Sequence, residues 1–169
     1  FEQPYDKLVI TTGSAPVVPP IPGIDSNRVM LCKNWTNAKE LKENAKDVKS
    51  AIVIGAGYIG AELAEGYATL GKETTLIDAL PHVLAKNFDP NMSAVAEKDY
   101  IDNGVTLGMG EKVESFEETD HSVIVKTDKN TYEADIAVMC VGFRPNTKMF
   151  ADKFETLPNG ALIVDKYMH

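Results

Sequence analysis

The stretch that decides the fold is "AIVIGAGYIGAELAEGYATLGKETTLID", residues 51–78. It opens on an apolar run, Ala51 to Ile54, of the kind that forms a strand buried on both faces. Gly55, Gly57 and Gly60 follow in the spacing G-x-G-x-x-G. Behind them the period becomes helical, which predicts Ile59, Leu63, Tyr67 and Leu70 on an inner face and Gly71 as the stop. "ETTLID" reads as a second strand, and it ends on an acid, Asp78. Strand, glycine turn, helix, strand and terminal acid together make a dinucleotide-binding unit.

Each part has a physical reason. Gly55 permits the tight turn, Gly57 lets the backbone approach a pyrophosphate, and Gly60 lets helix and strand pack closely. The helix N-terminus offers N–H donors and a partial positive charge to the phosphates. Asp78 is placed to accept hydrogen bonds from the adenosine ribose hydroxyls and to repel a 2′-phosphate. No Arg follows it in "DALPHVLAKN", so NAD is favoured over NADP. FAD can use the same fingerprint, and the flanking sequence must decide between them.

Working outward, "KLVIT" (7–11) is predicted as a short strand closed near Gly13. "SAPVVPPIPGID" (14–25) carries Pro16, Pro19, Pro20 and Pro22, which forbid helix and discourage sheet pairing, so an extended connector is expected. "NWTNAKELKENAKD" (34–47) reads as an amphipathic helix with Trp35, Ala38, Leu41 and Ala45 on one side. Asp89-Pro90 pairs an N-cap acid with a first-turn proline, starting a helix that runs to Asp102 and precedes the strand "VTLGM" (105–109). From Glu111 the period changes to two. "KVESFEE", "HSVIVKT" and "NTYEA" read as a three-stranded antiparallel meander, and "DIAVMCVG" (135–142) returns as a buried strand. The fold class is α/β: a Rossmann-like three-layer domain with a parallel sheet and an antiparallel β-meander as one crossover.

Composition narrows the function. At 169 residues, with 44% hydrophobic and 25% charged residues, the chain has the material for one ordinary globular domain, or one domain with flanking pieces. A net charge of −8 and no basic cluster argue against nucleic acid as a partner. No apolar run approaches the roughly 20 residues that span a bilayer, so no membrane segment is expected and the composition suits the cytoplasm. Cys32 and Cys140 lack CxxC spacing and read as inert packing thiols. His82 and His121 show no partner pattern and read as surface residues, and the acidic "EKVESFEETD" (111–120) reads as an exposed strand face, with no metal site.

The flanks also carry a family resemblance. "YDKLVITTGSAPVVPPIPG" (5–23) resembles the strand and turn by which flavin-dependent pyridine nucleotide–disulfide oxidoreductases leave their FAD domain. "GAGYIGAELAE" (55–65) is similar to their NAD-domain fingerprint, "ADIAVMCVGFRPNT" (134–147) to the strand that recrosses to the FAD domain, and "NGALIVDKYM" (159–168) to the start of the second FAD segment. Within the family "LCKNW" (31–35) looks most like bacterial NADH oxidases that reduce O2, with NADH peroxidases and CoA-disulfide reductases as relatives.

The resemblance implies an NAD(H)-binding domain at 34–148, a tail of FAD-domain segment and connector at 1–33, and the start of a second FAD segment at 149–169. It implies NADH and the remainder of an oligomeric flavoenzyme as partners, with FAD held in the full-length parent. Gly55, Gly57, Ile59 and Gly60 would line the NAD phosphates and Asp78 the adenosine ribose. Tyr58 would cover the flavin, Glu62 would lie near the nicotinamide carboxamide, and Gly142 would let the nicotinamide ring approach. Thr11, Thr12, Gly13, Ser14 and Lys33 would touch FAD. Where the family often has a Tyr close to the adenine, this chain has Asn87 with Phe88 beside it. The redox cysteine of the family lies in an N-terminal segment this chain lacks, so no catalytic residue is expected within 1–169 and the chain alone should be inactive. A fragment of an NADH peroxidase or CoA-disulfide reductase is the alternative within the family, and a stand-alone NAD-binding or sensing module is the alternative from another class.

Overall fold

A computed structural model describes residues 1–169 as two compact units, one of residues 16–142 and one of residues 1–15 with 143–169. In chain order the strands and helices are β1 (Ser14–Pro16), β2 (Val29–Leu31), α1 (Trp35–Asp47), β3 (Ser50–Ile54), α2 (Tyr58–Thr69), β4 (Glu73–Asp78) and α3 (Pro90–Asp102). β5 (Val105–Met109), β6 (Val113–Glu118), β7 (Val123–Thr127), β8 (Thr131–Ala134), β9 (Ile136–Met139) and β10 (Phe143–Pro145) complete the set.

In the larger unit β2, β9, β3, β4 and β5 lie side by side in that order, all parallel. β3 sits at the centre, which is why its run is apolar on both faces. Ala51 and Val53 face the helical layer with Leu41, Ala64, Tyr67, Leu76 and Val138. Ile52 and Ile54 face the opposite way, onto Phe116, Val123 and Val125 of an antiparallel meander ordered β6-β7-β8. Helices, parallel sheet and meander are therefore three layers, as the change of period at Glu111 predicts. Asp89 caps α3 as expected, accepting from the N–H groups of Asn91 and Met92 at 2.9 and 3.1 Å.

β1, which ends at the boundary of the smaller unit, and β10 form a two-stranded sheet, and within that unit the Asn146 N–H donates to the Gly13 carbonyl at 3.0 Å. A short 3-10 turn at Lys148–Phe150 follows, and Thr156 bridges Leu162.

Four expectations are corrected. Residues 7–11 form no strand, because no other strand pairs with them. Strand β1 occurs within the proline-rich connector, where its edge position in a two-stranded sheet accepts Pro16. On α1 only Leu41 is buried, while Trp35 is 83% exposed. The inner face of α2 is Gly60, Ala61, Ala64 and Tyr67, with Ile59 and Leu63 half-buried and Leu70 exposed. Small residues win there because the helix approaches the sheet too closely for a row of large ones.

Candidate dinucleotide site

The site lies where β3 and β4 end. Gly55 has φ of +104°, and a Cβ on it would lie 2.5 Å from the Cys140 carbonyl oxygen. Its N–H donates to the Ile77 carbonyl at 2.7 Å. A Cβ on Gly60 would lie 1.8 Å from the Gly55 carbonyl oxygen, so α2 seats directly on the turn. Gly57 differs from both: its φ is −74°, and nothing stands within 4 Å of where a Cβ would be. Gly57 is also the N-cap of α2, with no side-chain cap and no acid in the first turn. The turn thus presents unshielded backbone donors beside open space, which fits a phosphate group.

Ala56 is held at both of its backbone groups. Its N–H donates to Asp78 Oδ2 at 2.6 Å, and its carbonyl accepts from the Leu84 N–H at 2.8 Å. The other carboxylate oxygen of Asp78, Oδ1, accepts from the Leu80 N–H at 2.7 Å. Two backbone donors fix the plane of the carboxylate and leave each oxygen a further lone pair to offer. Leu84 reaches Ala56 with a left-handed backbone, φ +56°, which costs about 1–2 kcal/mol for a residue with a Cβ.

The remaining candidates fall in different places. Tyr58 is 59% exposed at the start of α2, Ile59 is half-buried and Glu62 is exposed one turn on. Gly142, with φ +112°, is exposed, and its carbonyl accepts from the Val17 N–H at 2.9 Å. Lys33 is exposed in the loop between β2 and α1. Thr11, Thr12, Gly13 and Ser14 belong to the smaller unit, where the Thr12 carbonyl accepts from Asn146 Nδ2 at 3.1 Å. The structure therefore gathers Gly55, Gly57, Gly60 and Asp78 into one constellation and places the residues 11–14 in another unit.

Cys32 and Cys140 pack against the helix-side core. Burial pushes the Cys140 thiol up to about 12, with Cys32 adding to the shift, and burial raises Cys32 as well. Such thiols stay protonated near neutral pH and make poor nucleophiles. No group of three or more His, Cys, Asp or Glu side chains gathers to hold a metal ion. No helix is long and apolar enough to cross a membrane.

Two polar contacts correct the sequence reading. His82 is not without a partner: its Nδ1 lies 3.1 Å from Glu97 Oε1, which also accepts from the Val83 N–H at 3.0 Å. Glu111 does not join the exposed acidic face, being buried at 6% exposure. The roles of Ala56, Leu80 and Leu84 also escape a reading of motifs, because they act through backbone groups that every residue carries.

The comparisons agree with this geometry. Residues 1–169 match the family described as pyridine nucleotide-disulphide oxidoreductase. The NADH oxidase of Enterococcus faecalis is 48% identical over 166 residues, covering 97% of this chain and 37% of that protein. The water-forming NADH oxidase of Lactobacillus brevis, bound to NADH, superposes with a TM-score of 0.96 at 56% identity over 99% of this chain and 37% of its own. The NAD-dependent persulfide reductase of A. fulgidus superposes with a TM-score of 0.90 at 32% identity, over 98% of this chain and 31% of its own. The chain spans 37% of the length of either NADH oxidase. By these matches and by its glycine turn, parallel sheet and meander, the chain belongs to the pyridine nucleotide-disulphide oxidoreductase family and is similar to its NADH oxidases.

Proposed function

We propose that this chain is the NAD(H)-binding part of an FAD-dependent NADH oxidase whose whole protein reduces O2, with water as the product. The observation that carries the reading is the carboxylate of Asp78, fixed by the N–H groups of Ala56 and Leu80 at 2.6 and 2.7 Å beside the open turn at Gly57. That placement suits a ribose with free hydroxyls and repels one bearing a phosphate. In the whole protein NADH would supply the hydride and FAD would receive it.

The residues of this chain bind and orient. Gly55, Gly57, Ile59 and Gly60 would line the pyrophosphate, and the uncapped N-terminus of α2 would offset its charge. Glu62 and Gly142 would set the nicotinamide, and exposed Tyr58 would cover the flavin until the nicotinamide enters. Thr11, Thr12, Gly13, Ser14 and Lys33 would contact FAD, with residues 34–148 as the NAD(H) domain between two FAD-domain segments. The further partners are the rest of the parent flavoenzyme and a second copy of it.

Titration calorimetry of this chain with NADH and NADPH tests the reading. Wild type should prefer NADH. Asp78→Ala should weaken NADH about tenfold, the loss of hydrogen bonds to a charged group, and should narrow the gap to NADPH. Unchanged affinities for both nucleotides would overturn the ribose role.

A further inference from the structure

The segment that carries Asp78 is itself seated on a buried carboxylate. The Glu111 N–H donates to the Asp78 carbonyl at 2.9 Å, and the Gly110 N–H donates to the Leu80 carbonyl at 2.8 Å. Leu80 is the residue whose N–H holds Asp78 Oδ1. So the turn at 110–111 fixes both the backbone of the acid and one of the two donors that orient its side chain.

That turn is anchored in turn by the Glu111 side chain. Its Oε2 accepts from the Thr127 hydroxyl at 2.7 Å, and its Oε1 accepts from Asn130 Nδ2 at 2.8 Å and from the Tyr132 hydroxyl at 2.9 Å. All three donors come from the β7–β8 hairpin. Tyr132 also lies over β5, where a Cβ on Gly108 would meet its hydroxyl at 2.9 Å. Gly108 pairs with Ile77, and Met109 pairs with Asp78. The line of contact from hairpin to Glu111 to Asp78 is unbroken.

Burial by itself would raise the Glu111 carboxyl. The hydrogen bonds from Thr127, Asn130 and Tyr132, with the Lys129 ammonium nearby, outweigh it and hold the group below the ordinary carboxylate value. A buried charge is costly unless its partners are complete, so an anchor of this kind is sensitive to the loss of any one.

We infer that Glu111 is a positioning residue for nucleotide choice: it fixes the 110–111 turn and, through it, the carboxylate of Asp78 that distinguishes NADH from NADPH. The inference rests on the ribose role proposed for Asp78. Its signature is selective, because misplacing Asp78 costs only the nucleotide that Asp78 binds.

The test is a double-mutant cycle on this chain, read by titration calorimetry with NADH and with NADPH, with melting temperatures checked alongside. Glu111→Ala should weaken NADH about tenfold and leave NADPH within about twofold. In the Asp78→Ala background, Glu111→Ala should weaken NADH no further. Tyr132→Phe removes one donor of three and keeps the anchor folded; about threefold weaker NADH, again with NADPH spared, is expected. Thr127→Ser keeps its hydroxyl and should bind like wild type. Equal losses for both nucleotides, or equal losses in both Asp78 backgrounds, would overturn the inference, and Tyr132→Phe decides it if Glu111→Ala fails to fold. If Asp78→Ala alone changes neither affinity, the ribose reading falls and the inference with it. If Asp78→Ala acts and the Glu111 and Tyr132 variants do not, only the inference falls.

Discussion

Gly55 and Gly57 stand two residues apart in one turn, and alanine should do opposite things to them. At Gly55 an alanine must hold φ near +104° and place its methyl 2.5 Å from the Cys140 oxygen and 2.7 Å from its carbonyl carbon. Both neighbours are backbone, so neither can rotate away. The backbone conformation costs about 1–3 kcal/mol and the overlap about 1–3 kcal/mol more. Together they are a large fraction of the 5–15 kcal/mol or so that stabilises an ordinary domain. For a chain of this size the melting temperature should fall by on the order of 10 °C. At Gly57 the backbone suits alanine and the space is empty. Replacing a glycine N-cap there should cost no more than about 1 kcal/mol. The methyl would instead stand where the pyrophosphate is proposed to lie, and an overlap of about 1–3 kcal/mol weakens NADH roughly tenfold or more. Circular dichroism melts and calorimetric titration of both variants give the four numbers needed. If Gly55→Ala melts within about 2 °C of wild type, the approach to Cys140 is not what requires glycine. If Gly57→Ala binds NADH unchanged, the open space is not the phosphate site.

Other predictions concern the frame. Burial pushes the Cys140 thiol and the Tyr67 and Tyr132 phenols up to about 12, from 9.0 and 10.0, with neighbouring Cys32, Cys140 and Glu111 adding to it. Each raised group contributes stability that is fully present below its unfolded value and is lost as pH rises through the folded one. The melting temperature should therefore fall steadily from about pH 9 toward about pH 12, less steeply in Tyr132→Phe, and a flat profile across that window would refute it. Asp135 accepts from the backbone N–H groups of Lys49 and Ser50 at 2.5 and 3.0 Å, tying the start of β3 to the strand entering beside it. Asp135→Ala should cost about 1–3 kcal/mol, seen as a lower urea midpoint, and unchanged stability would mean that water replaces the carboxylate. These hydrogen bonds, the one from Lys49 foremost, hold the Asp135 carboxyl below its ordinary value of 3.8. Its contribution is therefore complete above that value and should fade as pH falls through the lowered one.

What could be read from the sequence was local. β3, the glycine turn, α2, β4 and the Asp89-capped α3 each declare themselves within a dozen or so residues, through period, punctuation and caps. The meander is legible for the same reason, since alternation is a property of neighbours. Burial along a helix proved harder. Period placed Leu70 and Trp35 inside, but which residues meet a wall depends on how near that wall stands, and α2 comes close enough to the sheet to demand Gly60, Ala61 and Ala64. Residues 7–11 have strand composition, and composition does not supply a partner. In the site, the glycines and Asp78 were visible as residue types. Contacts such as His82 with Glu97, Leu84 with Ala56 and Thr127 with Glu111 join separate stretches and leave no mark on either.

The order of the parallel sheet bears on how the chain assembles. β9 lies between β2 and β3, and within the sheet β2 has no other neighbour. Val29 pairs with Ala137 and Ala51 pairs with Ile136, so the place between β2 and the central β3 is filled by the last strand of the sheet to be synthesised. β3, β4 and β5 can pair as they emerge from the ribosome, whereas β2 must wait. Contacts this distant along the chain slow folding, and a nascent chain that stops short of Ile136 exposes the apolar edge of β3 to other chains. Premature termination within the meander should therefore yield an aggregating product, even though every residue of the glycine turn and Asp78 has already been made.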